Sequence, residues 1–485
     1  MSSKSKFFNY KPVTRLPSSS RPEAENLPKN ESGVPESSLG SLISKKSRLP
    51  TEHVSQVSSG KQASKDPKIR ILRDSWIIRR GHTLSFAGLF LFTIVLYFRP
   101  YELSPALYWL STSAYWIALA TLAVFVPTQL GLEGNLTARP REVNLLLLLV
   151  LGALLSIPLA FDPVEAWEAF NDSFIKVVVM FLVMVNVVRT RRRLNALIFL
   201  AVAVSLMLSV NAINDFRFGR LELRGTRISG SIGGMFENPN DLATHLVLII
   251  PLVFAWVFST RSILLKILYI SCGTLMLTAV ITTFSRGGFL GLLTGLGIFV
   301  FKASRKHRVI ALIVLSLAPL AFLVFAPSGY TGRVASIFSI DSDITGSSGA
   351  RERLLVRSTQ VTLRNPLLGV GMGNFHNHSI REQVTHNSYT QVGSEMGIIA
   401  MVIYTMFILA PYRRLHHIEL ETLEKGDKKW YHYTAIGLQS GLIAYLVVSF
   451  FASIAYLWYL YYLVAYSVCL RRLYANTAKT TSRWL

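Results

Sequence analysis

The chain has 485 residues, 51% of them hydrophobic and 16% charged, with a formal net charge of +23. A composition this apolar excludes an ordinary soluble domain and points to an integral membrane protein. The positive clusters fall between apolar runs and no nucleic-acid motif accompanies them, so the charge predicts juxtamembrane anchoring among membrane lipids and no nucleic acid.

Residues 1–80 stand apart. Their stretch "LPSSSRPEAENLPKNESGVPESSLG" is rich in Ser, Pro and Glu, which cannot bury enough surface to order itself. A disordered, basic, cytoplasmic tail without a signal peptide is expected there. About twelve apolar runs follow, each near the ~20 residues that cross a bilayer core. They lie at Leu84–Phe98, Leu107–Val126, Val143–Leu159, Phe174–Val188, Leu194–Ala212 and Leu242–Phe258. The rest lie at Leu265–Thr283, Gly288–Phe301, Val309–Phe325, Ile398–Leu409, Ala435–Phe450 and Phe451–Cys469. The two cysteines, Cys272 and Cys469, sit inside such runs and predict neither a disulfide framework nor a zinc site. The fold class is therefore all-α and polytopic. Transmembrane helices are expected over 81–213, a core over 214–410 with a long extracytoplasmic loop at 327–386, and further helices with a basic end over 411–485.

With the tail inside, the inner connections "LTARPRE", "RTRRRL", "STRSILLK", "FKASRKHR" and "PYRRLHH" are all basic, as insertion preference demands. Three outer segments break the pattern: "RLELRGTRISG", "FSRGG" and "GARERLLVR". They place Arg224, Arg227, Arg286 and Arg351 on the same face as His386. Loop ion pairs with Asp215, Glu222, Asp241 or Glu352 would account for any single arginine. The group together, set against insertion preference, points to a bound anion.

The stretch from Arg351 to Gly397 holds the richest pattern. Asn365-Pro366 and Gly369, Gly371 and Gly373 break helical structure, so "LLGVGMGNF" is a tight loop; it lacks the ending and context of a phosphate loop. "DSD" at Asp341–Asp343 resembles a metal–nucleotide motif, but nucleoside triphosphates are cytoplasmic and the motif is outside. Asn387 and Ser388 are capping types, so a helix is expected beside His386. On a helical period, His386, Thr390, Gly393 and Gly397 share a face, with Gly393 and Gly397 as a close-packing seam. Asn387, Gln391 and Glu395 form a polar stripe beside it, which must face protein or water. A helix cap at His386 and a loop ion pair for Glu395 would be the structural reading of the same residues. Arg286 similarly heads "SRGGFLGLLTGLG", with Gly288, Gly291 and Gly295 below it; snorkelling to the headgroups would explain it alone.

Arginines grip phosphate in bidentate fashion, and a neutral imidazole can take a proton from a hydroxyl. With no nucleotide outside, a transfer reaction there needs a donor that carries its own leaving group, and a lipid-diphosphate sugar is one. The segments "FENPNDLATHL", "FSRGGFLGLL", "RERLLVRSTQVTLRNPLLGVGMGNF" and "HNSYTQVGSEMGIIAMVIY" resemble the O-antigen ligase / Wzy polymerase family. His386 to Gly397 is similar to its H-x10-G pattern, and Arg351-x3-Leu355 to its R-x3-L element. The resemblance spans about residues 224–409 and makes 214–410 an O-antigen ligase-like core. It implies a metal-independent, inverting, GT-C-type glycosyltransferase without cofactor in the bacterial cytoplasmic membrane. The implied donor is a polyprenyl-diphosphate-linked glycan, and the acceptor a glycan, lipid or protein. His386 would be the base and Arg351 its catalytic neighbour. Arg286, Arg227 and Arg224 would bind diphosphate, supported by Glu395, Gly397 and Asn387. The outer loops lack the paired R-x10-G motifs frequent in polymerase members, which favours the ligase side. A flippase is the reading from another class, but the span middles are nearly free of charge, which favours interfacial chemistry.

Overall fold

A computed structural model describes residues 76–220, 227, 228, 232, 236, 238–304, 309, 347–379, 382–423 and 428–481. The chain divides into units 1–63 and 64–485, and every described residue belongs to the second. The described residues are all-α: α1 Trp76–Phe98, α2 Ser113–Glu133, α3 Arg141–Ser156, α4 Pro163–Glu168, α5 Ile175–Val187, α6 Arg191–Arg217 and α7 Pro239–Ser259. Then come α8 Ile263–Thr282, α9 Arg286–Ala303, α10 Ser347–Arg364, α11 Ser388–Leu423, α12 Lys429–Val448 and α13 Trp458–Thr481. Among the described residues, nine helical segments are long and apolar enough to cross a membrane.

Eleven of the twelve predicted runs coincide with these helices; the remaining one, Val309–Phe325, lies outside the described residues apart from Val309. Three boundaries differ. The tail predicted over 1–80 already turns helical at Trp76, and the rest of it lies outside the described residues. The predicted loop 327–386 contains α10, an 18-residue helix. The last run starts at Trp458 and not at Phe451, because residues 449–457 form a turn with a packing role of their own.

Local sequence sets many of the helix starts. Asp162 caps α4, Thr190 caps α6, Asn238 caps α7 and Ser285 caps α9, each side-chain oxygen accepting from an amide of the first turn. Such a cap contributes about 1 kcal/mol. Packing then ranks the helices. The apolar window of α7 is 78% buried and that of the α2 segment only 11%, so α7 is central and α2 faces lipid. Small residues hold the centre together: Cβ atoms added at Gly437 and Gly441 of α12 would lie 3.0 and 3.1 Å from α7 carbonyl oxygens. Added at Gly291 and Gly295, they would strike Val448 and Ala444 of α12, so the small residues below Arg286 do serve close packing.

The starts of α7, α9, α11 and α13 meet the ends of α8 and α12 at one end of the bundle. The opposite end is basic and is tied by Lys302–Glu419, Arg471–Glu142 and Arg189–Glu133 pairs.

Candidate functional site

Three chain segments build the site, and the first is the glycine loop. Helix α11 is broken at Gly397, whose φ of 88° and ψ of 171° lie outside any helix. In an unbroken helix the Ile398 amide would serve Ser394. Here it donates to Pro366 O at 2.8 Å, while Val370 N donates to Ser394 O at 2.8 Å and Gly371 N to Glu395 O at 3.0 Å. The loop 366–371 thus occupies the break and satisfies the backbone groups it frees. Only glycine permits the approach: a Cβ on Gly397 would lie 2.3 Å from Leu367 O, and one on Gly369 2.3 Å from the Glu395 carbonyl carbon. The predicted Gly393–Gly397 seam is corrected accordingly. Gly393 does pack on another helix, against Thr362 of α10, but Gly397 meets a loop, because the helix ends its first segment there.

The second segment is α10. Ser358 Oγ donates to Thr390 Oγ1 at 2.8 Å, and Thr362 packs on Gly393 one turn further along both chains. The two helices therefore run parallel. Two turns back from Ser358, toward the start of α10, lies Arg351. Arg351 is half-buried and in electrostatic contact with the imidazole.

The third segment is the turn 449–457, which hydropathy alone merges with the apolar runs on either side. Ser388 N donates to Ser449 O at 2.8 Å, Ser388 Oγ to Ala452 O at 2.7 Å, and Ile454 N to Ser388 Oγ at 3.0 Å. Asn387 Nδ2 donates to Phe450 O at 3.1 Å, and Thr385 and Ser453 share a hydroxyl bond of 2.8 Å. The same turn carries α9: Gly287, next to Arg286, would place a Cβ 3.1 Å from that of Phe451. So the immediate neighbours of Arg286 and His386, a hundred residues apart, both pack on one turn. Its sequence signal was slight: Ser449 and Ser453, two hydroxyls interrupting an apolar run.

Asn387 caps α11, its Oδ1 accepting from Tyr389 N and Thr390 N at 2.9 and 3.0 Å. His386 precedes the cap at φ 52° and is not on the helix, which corrects its predicted place on the Thr390–Gly393 face. Phe284, just before Arg286, is likewise left-handed, at φ 51°. A non-glycine residue held there costs roughly 1–3 kcal/mol, and such residues gather at functional sites. Burial first, and the Arg351 guanidinium second, push the His386 imidazole down to about 4. Glu395 is buried and accepts from Tyr456 of the turn at 2.8 Å, so its partner is a tyrosine and not a loop arginine. Gln391 Oε1 receives Ala455 N at 3.4 Å. Arg286 is half-buried as the first residue of α9. Arg227 donates from Nε to Thr283 O at 3.0 Å and from Nη2 to Asn240 Oδ1 at 2.9 Å. Asn240 Oδ1 also receives Ser285 Oγ at 2.9 Å, so Arg227 shares an acceptor with the residue that caps the Arg286 helix. Arg224 lies outside the described residues, as do Asp341–Asp343.

Beneath the glycine loop, Phe161 N donates to Val370 O at 2.9 Å, Asn374 Oδ1 receives Asp162 N at 2.6 Å, and Glu165 contacts His376 at 3.3 Å. Among the described residues no three His, Cys, Asp or Glu side chains converge as metal ligands would. The arrangement offers a neutral imidazole, a guanidinium beside it, and a second arginine whose neighbour Gly287 packs on the same turn. It is suited to accept a proton close to a bound anion.

A solved structure from work titled "Structural coordination of polymerization and crosslinking by a peptidoglycan synthase complex" is similar to this chain at 16% identity. It covers 68% of this chain and 96% of that one with a TM-score of 0.41, a likeness that carries no argument. No curated protein matches. The family model described as O-antigen ligase, Wzy_C, matches residues 271–405. The O-antigen ligase resemblance drawn from the motifs therefore holds over the stretch that contains Arg286, Arg351 and His386.

Proposed function

We propose that the protein is a GT-C-type, inverting glycosyltransferase of the cytoplasmic membrane, moving a glycan from a polyprenyl-diphosphate-linked donor to an acceptor hydroxyl on the extracytoplasmic side. The observation that carries this reading is the pairing of a half-buried, neutral imidazole with Arg351 on a frame that also packs against the neighbour of Arg286. The acceptor oxygen attacks the anomeric carbon as the bond to the diphosphate oxygen breaks. His386 takes the hydroxyl proton, and the lipid diphosphate departs with its negative charge held by Arg351 and Arg286. Arg227 orients the α9 start through Asn240 and Ser285 as well as adding charge. The chemistry needs no metal or cofactor.

The basic groups collected at the opposite end favour that end as cytoplasmic. Lipopolysaccharide, a growing polysaccharide and a protein hydroxyl all offer the same attacking group, so ligase, Wzy-type polymerase and protein O-oligosaccharyltransferase share this mechanism. The test is glycan transfer from the lipid-diphosphate donor by purified protein, comparing wild type with His386→Ala and Arg351→Ala. Undiminished transfer by either variant refutes the residue roles. Lipid movement across vesicles without transfer would make the protein a flippase.

A further inference from the structure

We propose that a cavity at the basic end of the bundle, between the starts of α6 and α12 and the α7–α8 connection, binds the phosphate of an anionic phospholipid headgroup. The cavity holds about 410 Å³ and is lined by Arg191, Asn195, Trp256, Thr260, Arg261 and Trp430, among others. Its wall contains a group that lacks a partner. Trp430 is 5% exposed, yet its indole Nε1 has no hydrogen-bond acceptor among the described residues. A buried N–H left unpaired is destabilising, and a phosphate oxygen that accepts from it would remove that cost.

The charge matches. The Arg191 guanidinium lies 4.4 Å from the Trp430 ring centroid, and Arg261 lines the same cavity. Neither has a carboxylate partner among the described residues, unlike Arg189 and Arg471 at the same end. Both lie at helix starts, where the macrodipole adds positive field. The surroundings select a lipid over free phosphate. Phe199 in the wall is 62% exposed, and Ile263 and Leu264 beside Arg261 are 67% and 75% exposed. These apolar side chains offer a bed for acyl chains directly beside the cations, while Trp256, Trp430 and Tyr269 give the aromatic rim of a membrane interface.

The test is native mass spectrometry of the full-length protein in detergent, titrated with phosphatidylglycerol or with phosphatidylcholine of the same chains. Wild type is expected to retain phosphatidylglycerol preferentially. Arg191→Gln and Arg261→Gln should each weaken it about fivefold, the effect of one cation near a membrane surface. Trp430→Phe keeps the ring and loses only the N–H, and should weaken it by a similar factor. Arg192→Gln, on the same end but outside the cavity, should bind as wild type does. Equal retention of the two lipids overturns the proposal, and so does wild-type binding by the Arg191→Gln/Arg261→Gln pair. Displacement of the lipid by excess inorganic phosphate would overturn the lipid as occupant. Because the site is remote from His386, failure here leaves the transfer assay untouched, and the reverse holds too.

Discussion

In the proposed transfer His386 is the general base, and its environment makes a pH prediction with a definite sign. Its ring is depressed from the ordinary value near 6.5 to about 4, so it is the neutral, proton-accepting form that exists at neutral pH. Transfer should stay level as pH falls from 7 and be lost only near 4, where the folded protein finally protonates the ring. Arg351→Gln removes one cause of the depression, so the acid limb of the profile should move to higher pH, which a pH–rate series would read. The rates themselves should fall by ~10²–10⁴-fold for His386→Ala, as for loss of a general base, and by ~10²–10³-fold for Arg351→Ala, as for loss of a charge-stabilising donor. An unchanged acid limb in Arg351→Gln would separate the arginine from the histidine.

At the scale of elements, the glycine loop and the broken α11 act as one part. Their backbones approach so closely that any side chain at Gly397 or Gly369 must displace main chain. Gly397→Ala also forces a backbone region that only glycine occupies readily, at roughly 1–3 kcal/mol before the clash is counted. Thermal unfolding in detergent should show a clear loss for Gly397→Ala and Gly369→Ala. Gly393→Ala should be much milder, since its neighbours are the movable side-chain ends of Thr362 and Met401. Ser388 is the corresponding fastener for the 449–457 turn. Ser388→Ala breaks one bond to Ala452 O and one from Ile454 N, about 1 kcal/mol each, and leaves the buried amide unpaired. Transfer should fall in that variant although Ser388 is not placed against substrate, because the neighbours of both Arg286 and His386 pack on that turn.

For the whole molecule, the two ends of the bundle divide the labour. The basic end is pinned by Lys302, which reaches Glu419 at 2.8 Å and Gln439 at 3.1 Å, with His416 3.1 Å from the same carboxylate. Glu419 is fully buried, so Lys302→Met strands a charge and should destabilise the protein by about 3 kcal/mol. The double variant Lys302→Met/Glu419→Gln should recover much of that in the same unfolding measurement, since no bare carboxylate remains. Sidedness has its own test. Single cysteines placed at the Arg286 and His386 end should react with an impermeant maleimide from outside, and those beside Arg413 should not.

The sequence by itself determined the class, eleven of the helix positions and the cap at Asn387, because hydropathy and capping types are local properties of the chain. It also marked Gly397 and the glycine loop as special, though for the wrong contact. Only the tertiary structure decided that Gly397 is a break filled by residues 366–371, that Tyr456 is the partner of Glu395, and that an apolar-looking turn at 449–457 is the common seat of the neighbours of Arg286 and His386. The reason is physical. A helix period can say which residues share a face, but a broken helix has no single face, and the backbone groups it exposes are satisfied by whichever distant segment the fold brings to them.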